Sequence, residues 1–329
     1  LISLRIALSE IDVVVSAGYI VLKEKQIINK KYFSYLLHRY DVAYMKLLGS
    51  GVRQTINYGH ISDSILVIPP LSEQQKIAQF LDDKTAKIDQ AVDLAEKQIA
   101  LLKEHKQILI QNAVTRGLNP DVPLKDSGVE WIGQVPEHWE LTIGMNVFRE
   151  NKRDNKGMKE NTVLSLSYGK IIIKPEEKLF GLVPESFETY QIVEPNDIII
   201  RCTDLQNDQT SLRTGLAQDK GIITSAYLNL KVINNYSAKF LHYYLHALDI
   251  TKVLYKFGSG LRQNLSFLDF KRLPIIDISL AEQQQIADYL DKQTSKIDQV
   301  IALKTAHIEK LKEYKSVLIN DVVTGKVRV

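Results

Sequence analysis

A block of this chain is written twice at a fixed spacing. Residues 71–78, Leu-Ser-Glu-Gln-Gln-Lys-Ile-Ala, return as residues 280–287, Leu-Ala-Glu-Gln-Gln-Gln-Ile-Ala. The offset from position 71 to position 280 is 209 residues, and the same offset relates the Gly-Ser-Gly loop at residues 49–54 to that at residues 258–263. Because loop and helix start repeat together, each copy is one structural unit. A chain with two such units is predicted to bind a ligand that has two corresponding parts.

The two copies differ in length. Residue 1 aligns near residue 210, so roughly 85 residues of the second copy, from about 125 to about 210, have no counterpart in the first. The chain also begins with Leu1 rather than Met. Two explanations stay open: an N-terminally truncated product, or an unequal natural repeat of the kind that terminal repeats often show.

Composition narrows the class of protein. A length of 329 residues with 45% hydrophobic content supplies core for two or three domains. Cys202 is the only cysteine, which predicts a buried thiol without a disulfide and a reducing cytoplasm. There is no apolar run long enough for a bilayer and no secretory signal, so we expect no membrane association. A net charge of +3 is low for a chain that binds many phosphates by itself. If this chain binds nucleic acid, we therefore expect a partner protein to contribute.

Two stretches have heptad order over about five repeats, which places one line of residues along a helix. The seam residues of the first are Leu81, Thr85, Ile88, Val92, Ala95, Ile99, Leu102, Lys106, Leu109 and Ala113, and those of the second are Leu290, Thr294, Ile297, Ile301, Lys304, Ile308, Leu311, Lys315, Leu318 and Val322. The pattern predicts two long helices that pack together as a coiled coil. A helix of about 44 residues is roughly 66 Å long, which approaches two turns of B-DNA.

Local signals mark the ends of both helices. They are a serine with a glutamine or glutamate three residues later at each start, and a glycine at each end: Ser72 with Gln75, Ser279 with Glu282, Gly117 and Gly325. Lys106 and Lys315 occupy equivalent seam positions. A seam lysine can fix helix register, but long lysine stems commonly cover apolar surface while the ammonium stays in water, and we favour the second interpretation.

The segment between the long helices is mixed. Residues 162–166, 171–173 and 197–200 are short β-rich runs between Gly, Pro and Asn residues. Apolar residues at helical spacing predict helices over residues 238–255 and 31–48. Each copy is thus expected to end as helix, Gly-Ser-Gly loop, short strand and long helix. The fold class is α+β: two mixed α/β domains, the first incomplete, separated by two long antiparallel coiled-coil helices.

The Gly-Ser-Gly loops carry the first candidate contacts with DNA. Glycines let backbone approach a ligand closely, and arginine with amide side chains matches guanine and adenine edges. The candidates are Ser259, Arg262, Gln263 and Asn264 in the second copy and Arg53 and Gln54 in the first. Contact with phosphates and a merely solvated turn stay open as alternatives.

A second group of candidates lies in the mixed segment. Lys152 and Arg153 belong to a basic, polar stretch, Tyr168 and Lys170 flank a strand turn, and Arg201 follows a β-rich run. These residue types suit contacts with backbone or bases. The alternative is a solvated loop, since neighbouring acidic residues weaken the positive field.

Signatures of enzymes are mostly absent. No Gly-rich dinucleotide or P-loop pattern stands between a strand and a helix, and no Cys/His cluster indicates zinc. Glu104-His105-Lys106 and Glu313-Tyr314-Lys315 share an acid-x-lysine spacing with nuclease sites, but both lie on the heptad helices and are interpreted as surface and seam residues. The sequence predicts a chain without catalytic activity, cofactor or metal of its own.

Four motifs together resemble one protein family. They are the helix start at residues 69–82 with its partner at residue 280, the opening at residues 128–139 (Gly-Val-Glu-Trp-Ile-Gly-Gln-Val-Pro-Glu-His-Trp), the Gly-Ser-Gly loops, and the terminal Val323-Thr324-Gly325. In combination they resemble the DNA specificity subunit of type I restriction-modification enzymes, and the resemblance covers essentially the whole chain.

The resemblance implies a role and a set of partners. Each copy would be a target recognition domain followed by a long helix, and the two domains would read the two halves of a split sequence in double-stranded DNA. The paired helices would set the separation of the half-sites and dock methylation subunits, which carry S-adenosylmethionine. A restriction endonuclease subunit would join them. Recognition would belong to this chain, and modification and cleavage to the other subunits.

The implied division assigns residues 1–70 to the end of domain 1, 71–117 to the first helix, 118–279 to domain 2 and 280–329 to the second helix. Because domain 1 is incomplete, a reader of a single half-site is one alternative. A coiled-coil scaffold without DNA recognition is another. A self-contained nuclease or methyltransferase lacks the residues it would need. Self-association is expected if a natural truncation leaves domain 1 incomplete.

Overall fold

Six helices and twelve short strands make up the described part of the chain. The computed structural model describes residues 6–9, 11–43, 58–63, 65–175, 177, 186–203, 205, 212–257 and 264–329. The helices are α1 Lys30–Ala43, α2 Tyr58–Ser62, α3 Leu71–Arg116, α4 Ala238–Ile250, α5 Phe267–Lys271 and α6 Leu280–Val323. The strands are β1 Leu124–Asp126, β2 Gln134–Pro136, β3 Glu140–Ile143, β4 Phe148–Glu150, β5 Leu164–Ser167, β6 Lys170–Ile173, β7 Gln191–Val193, β8 Ile198–Ile200, β9 Thr214–Leu216, β10 Gly221–Ile223, β11 Leu228–Val232 and β12 Pro274–Asp277.

The chain forms two compact units, and both long helices contribute to each. Unit 1 comprises Leu1–Leu101 and Gln299–Val329, and unit 2 comprises Leu102–Asp298. The boundaries between the two units therefore lie inside α3 and α6. The domain division expected from the sequence, at residues 70, 117 and 279, stays a prediction.

Helices α3 and α6 pack antiparallel within each unit. In unit 1 the cluster contains Ile77, Ala78 and Leu81 from α3 with Ile319, Val322 and Val323 from α6. In unit 2 it contains Ile110, Ala113 and Val114 from α3 with Ile286, Ala287 and Leu290 from α6. Each member of one set lies 209 positions from a member of the other, so the same helix contact is built twice. All predicted seam residues are buried or half-buried, which confirms the prediction of two long helices that pack together.

The seam lysines make contacts that the sequence analysis did not favour. Lys106 Nζ lies 2.7 Å from Asp298 Oδ1, and Lys315 Nζ lies 2.6 Å from Asp89 Oδ2. Both ammonium groups are therefore held by a carboxylate on the other helix. The prediction that these two lysines only cover apolar surface is therefore wrong. Each forms an ion pair across the two helices, and the two ion pairs are equivalent.

Unit 2 holds the sheets, and its strand ladders are all antiparallel. One four-stranded sheet has the order β4-β11-β8-β9, and the pairs β1-β2, β3-β12, β5-β6 and β7-β10 complete the set. The three predicted β-rich runs form β5, β6 and β8, as expected. Antiparallel strands with helix α4 packed beside them confirm the α+β class.

Helix α4 is shorter than the sequence predicts. Its apolar face is buried as expected, with Phe240 and Leu245 fully inaccessible. The helix ends at Ile250 because Lys252 adopts a left-handed conformation with φ 61°. A 3-10 turn, Val253–Lys256, follows.

The short strand expected before α3 does not form. Residues 65–70 form no strand, whereas residues 274–277 of the second copy form β12. Strand β12 pairs along its whole length with β3, from Pro274 opposite Ile143 to Asp277 opposite Glu140. Within the described residues, no strand lies opposite residues 65–70. The expected order of elements is therefore wrong for the first copy.

A search of the described helices for one long and apolar enough to cross a membrane found none.

Candidate nucleic-acid interface

A tight hairpin presents Tyr168 at the surface of unit 2. Strands β5 and β6 pair from Leu164 opposite Ile173 to Ser167 opposite Lys170, which leaves a two-residue turn. Tyr168 and Gly169 have φ values of 48° and 76°, the left-handed values of the type I′ turn that suits a hairpin. Tyr168 is 92% exposed. An aromatic residue held at positive φ with its ring in water is unusual, and such outliers concentrate at functional positions.

The turn is held against the body of unit 2. A Cβ atom at Gly169 would lie 3.0 Å from Leu212 Cδ1 and 3.6 Å from His246 Cε1. Glycine is therefore required by close packing as well as by its conformation. Because the turn is fixed, the ring of Tyr168 can meet a ligand with little loss of conformational freedom.

Apolar and basic side chains surround the tyrosine along the hairpin. Ile172 and Ile173 are half exposed, and Lys170 is exposed next to the turn. An aromatic ring, aliphatic surface and an ammonium group within seven residues suit base stacking with phosphate contact. The sequence analysis identified Tyr168 and Lys170 but not the isoleucines, because alternation along a short strand does not show which face is covered.

Two histidines lie under the hairpin on α4. Burial lowers the pKa of His242 to about 4 and that of His246 to about 3. Their ring centroids are 6.0 Å apart, so a charge on one would also oppose a charge on the other. Both are neutral at pH 7, and they support the hairpin as apolar groups rather than as cations that could contact phosphate.

Arg153 is engaged by carboxylates. Its guanidinium pairs with Asp197, which is almost fully buried, and with Glu194. Lys152 is exposed and lies 3.2 Å from Glu150 Oε2. The structure thus places a half-buried ion-pair network at Arg153 and a solvated ammonium at Lys152. Both stay predicted DNA contacts, with Lys152 the more accessible of the two.

An open cleft of about 560 Å³ adjoins Arg153. Its charged lining is mixed: Arg153, Lys156, Lys159 and Lys220 against Asp154, Glu160 and Glu194. The local field is only weakly positive, as expected from the sequence. A cleft of this kind can accept a phosphate at its basic side but does not form a strong anion trap.

The remaining candidates lie in three places. Arg201 is half-buried at the end of β8, where its amide donates to Arg213 O at 2.8 Å. Asn264 is exposed and borders the Gly-Ser-Gly loop. Arg53, Gln54, Ser259, Arg262 and Gln263 lie outside the described residues. Cys202 is buried, and burial raises its pKa to about 12, which confirms the expected inert thiol.

Arg213 is a structural residue. It is fully buried, and it donates from Nε to Tyr255 Oη at 2.9 Å and from Nη1 to Thr203 O at 2.7 Å. These bonds fix the backbone that follows β8 and so position Arg201.

A buried glutamine ties each long helix to the helix before it, a role that the repeated Glu-Gln-Gln did not reveal in sequence. Gln74 Oε1 accepts from Asn29 N and its Nε2 donates to Pro69 O, both at 2.8 Å. Gln283 makes the same two bonds to Ser237 N and Ile278 O at 2.8 Å. The repetition could have suggested a structural role, but the backbone amides that donate to the two glutamines lie some 45 residues away in sequence.

The helix starts differ from the predicted capping boxes. Ser72 lies inside α3, and Pro70 O accepts from Glu73 N and Gln74 N instead, so the prediction for Ser72 is wrong. Ser279 does cap α6 by accepting from Glu282 N at 3.2 Å. The carboxylate of Glu282 bonds to Trp139 Nε1 at 2.9 Å and faces His138 Nε2 at 3.3 Å.

The chain matches known proteins over most of its length. The family model for the type I restriction modification DNA specificity domain matches residues 5–103. The MjaX type I specificity subunit of Methanocaldococcus jannaschii is 25% identical over 286 residues, which cover 84% of this chain and 62% of that protein. The MjaVIII specificity subunit of the same organism is 25% identical over 284 residues, or 80% and 62%.

The chain is similar to type I restriction-modification specificity subunits. It spans 62% of the length of each of these two relatives, a little under two thirds.

A solved structure shares the fold of this chain. A chain from work on complex assembly and conformational transition of the type I R-M system superposes with a TM-score of 0.62 at 12% identity. The match covers 89% of this chain and 69% of that one.

Proposed function

We propose that the chain is the non-catalytic DNA-recognition subunit of a type I restriction-modification complex, and that unit 2 reads one half of a bipartite target. The observation that carries the proposal is the anchored hairpin, with Tyr168 exposed beside Lys170, on a chain similar to type I specificity subunits. Tyr168 would stack on or wedge against bases, and Lys170 and Lys152 would contact phosphates.

Partners are part of the proposal. Helices α3 and α6 dock methylation subunits, and a restriction endonuclease subunit joins the complex. The modest net charge supports this division, because recognition by this chain alone would lack the phosphate contacts of a solitary tight binder. The length of the paired helices would set the spacer between half-sites.

The decisive experiment maps DNA methylation in cells that express the chain with its methylation subunit. A bipartite modified motif is the expected result. A motif with a single defined half would indicate a half-site reader, which the coil at residues 65–70 of the first copy favours. Binding without sequence preference, or no modified motif with an assembled complex, would contradict the proposal.

Variants of the hairpin then test the assigned residues. On the mapped duplex, Tyr168→Ala should weaken binding by about tenfold or more, since stacking on an aromatic is worth about 1–3 kcal/mol. Lys170→Ala should weaken binding to all sequences alike and reduce the salt slope by about one charge. Tyr19→Ala, at an exposed tyrosine of unit 1, is the matched control and should have no effect.

Spacer length is tested by adding seven residues to both long helices. We expect the preferred separation of the two half-sites to change. An unchanged spacer with a folded, methylating complex would contradict a measuring role for the helices.

A further inference from the structure

Two basic residues face each other across a strand ladder of unit 2. In the antiparallel pair of β4 and β11, Arg149 lies directly opposite Lys231. Side chains at opposite positions of such a ladder stand on the same side of the sheet, with their Cβ atoms about 4.5–5.5 Å apart. Both residues are exposed. Arg149 and Lys231 thus form a cationic pair on the surface of the sheet.

The cationic pair is not neutralised by the acidic groups on adjoining segments. Glu150 is adjacent in β4, but its Oε2 lies 3.2 Å from Lys152 Nζ. Glu194 and Asp197 both pair with Arg153. Among the described residues, no carboxylate oxygen lies within 4.0 Å of the guanidinium or the ammonium group of the pair. The two like charges therefore face each other without a counter-charge from this part of the chain.

Other basic side chains of unit 2 are matched by an acid. They include Lys125 with Glu140 at 2.9 Å, Lys239 with Asp291 at 2.8 Å and Lys106 with Asp298 at 2.7 Å. Like charges directly opposite each other destabilise a ladder, whereas opposite charges stabilise it. A local conflict of this kind is typical of positions that serve binding rather than stability.

The cationic pair and the Tyr168 hairpin lie over the same face of the four-stranded sheet. Lys231 and Asn229 share a face of β11, because they are two residues apart. Asn229 lies opposite Ile199, and Ile199 lies opposite Gly215. A Cβ atom at Gly215 would be 2.7 Å from Leu166 Cδ1 in the hairpin. The hairpin therefore covers the β9 edge of this face, and the cationic pair stands at the β4 edge.

The spacing of these two features suits a DNA duplex. Three intervals separate β9 from β4 in the sheet, and neighbouring strands are about 4.8 Å apart, so the two edges are roughly 14 Å apart. The major groove of B-DNA is about 12 Å wide. A duplex that presents a groove to the hairpin thus brings its sugar-phosphate backbone within reach of the long side chains of the cationic pair.

We propose that Arg149 and Lys231 bind neighbouring phosphates of one DNA strand and so position the duplex against the hairpin of unit 2. The inference rests on the proposed function, because the hairpin supplies the contacts with bases. The arginine fork matches phosphate oxygens, and the lysine adds a point charge beside it. Contacts of this kind fix the register of the duplex and carry no sequence information themselves.

The test measures binding of the chain, assembled with its methylation subunit, to the mapped duplex and to an unrelated duplex of the same length over a range of salt concentrations. Lys231→Gln and Arg149→Gln should each weaken binding to both duplexes alike, by about tenfold near 0.1 M salt, and lower the salt slope by about one charge. Lys125→Gln is the matched control. Since Glu140 already holds that ammonium group, affinity and salt slope should stay as in the parent.

Lys231→Glu separates a DNA contact from a structural role. It places a carboxylate opposite Arg149, and opposite charges across a ladder are favourable. The urea midpoint of the chain should therefore rise. Binding of both duplexes should fall further than with Lys231→Gln, and the salt slope should drop by about two charges, because the arginine is then engaged as well.

The outcomes distinguish this inference from the function on which it rests. If the parent complex binds DNA and the glutamine variants keep its affinity and salt slope, the inference is wrong and the proposed function stands. A loss confined to the mapped duplex would show contacts with bases and would also overturn it. So would variants that assemble poorly with the methylation subunit yet bind DNA normally once assembled, because the pair would then contact protein. A parent complex that binds neither duplex would contradict the proposed function and this inference together.

Discussion

Ile276 and Val67 occupy the same place in the two copies, yet one is fully buried in a paired strand and the other is 47% exposed in coil. The helices that follow them pack through equivalent residues, and the glutamines that anchor those helices make equivalent bonds. Helix pairing and anchoring are therefore independent of the strands around them. Ile276 is buried because β12 pairs with β3, whereas within the described residues no strand lies opposite Val67.

The difference between the two copies reflects the different requirements of helices and strands. An α-helix satisfies its own backbone hydrogen bonds, so α3 and α6 need only an apolar seam to form. A strand needs a neighbour for its backbone and a cover for its side chains. The helix pair is built in both units, whereas the sheets of the described chain are built in unit 2.

The largest expected effect is on the stability of unit 2 when the buried indole of Trp139 is removed. Trp139→Ala should destabilise unit 2 by about 3–5 kcal/mol, because it empties the site of a fully buried ring and removes the bond to Glu282. Urea denaturation followed by the fluorescence of Trp131, which also lies in unit 2, measures the change. A loss below 1 kcal/mol would show that burial of the indole contributes little to the stability of unit 2.

The next prediction is a matched pair at the strand. Ile276→Ala should cost about 2–5 kcal/mol because the side chain is fully buried. Val67→Ala should cost less than about 0.5 kcal/mol because an exposed side chain leaves no cavity. Urea denaturation followed by far-UV circular dichroism reports both variants. Equal losses of stability for the two variants would contradict the difference in burial between Ile276 and Val67.

Acid should weaken unit 2 through its buried histidines. The pKa values of His242 and His246 are lowered in the folded state, so the unfolded chain binds more protons between about pH 6.5 and the folded values. Stability is present above about pH 6.5 and is lost as the pH falls toward about 4. The loss is on the order of 3 kcal/mol for each histidine.

The measurement compares urea denaturation at pH 7 and pH 4.5 for the parent chain and for His242→Gln with His246→Gln. Carboxylates titrate in both proteins, so the difference between them isolates the histidines. A double variant with the same pH dependence as the parent would contradict this assignment.

The glutamine anchors should behave alike, which makes them the internal control of the comparison. Gln74→Ala and Gln283→Ala each leave a buried amide and a buried carbonyl without their partner, at a cost of about 1–3 kcal/mol. Denaturation curves should give similar losses for the two. A large loss for one copy only would show that the anchors are not equivalent.

The smallest effect concerns the cross-helix ion pairs. Asp298→Asn and Asp89→Asn should each cost about 0.5 kcal/mol, because the groups are partly exposed and screened by water. Both losses should shrink in high salt. Salt-independent losses would indicate a packing role instead.

Much of the architecture could be predicted from sequence because it is local or periodic. The seams of α3 and α6, the glycines that end both helices, the runs that form β5, β6 and β8, and the burial of Cys202 follow from patterns within a few residues. Tyr168 and Lys170 were found as candidates by residue type next to a turn. Their arrangement as a fixed, exposed hairpin tip required knowledge that Gly169 packs on Leu212 and His246.

Other features needed contacts between distant parts of the chain. Glu282 looks like half of a capping box until Trp139, 143 residues away, takes its carboxylate. Lys106 looks like a snorkelling side chain until Asp298 is placed opposite it. Arg153 looks like a free cation until two carboxylates of another loop surround it. Sequence spacing carries no information about such partners.

By itself, the amino-acid sequence determined the duplication, the two long helices, the α+β class and the resemblance to type I specificity subunits, since heptad periodicity and repeated motifs are properties of short stretches. The tertiary structure decided which strands pair, which charges are matched across the helices and where Trp139 is buried. The physical reason is that backbone pairing and burial of side chains depend on what lies opposite in space. That is set by the whole fold rather than by the residues that take part.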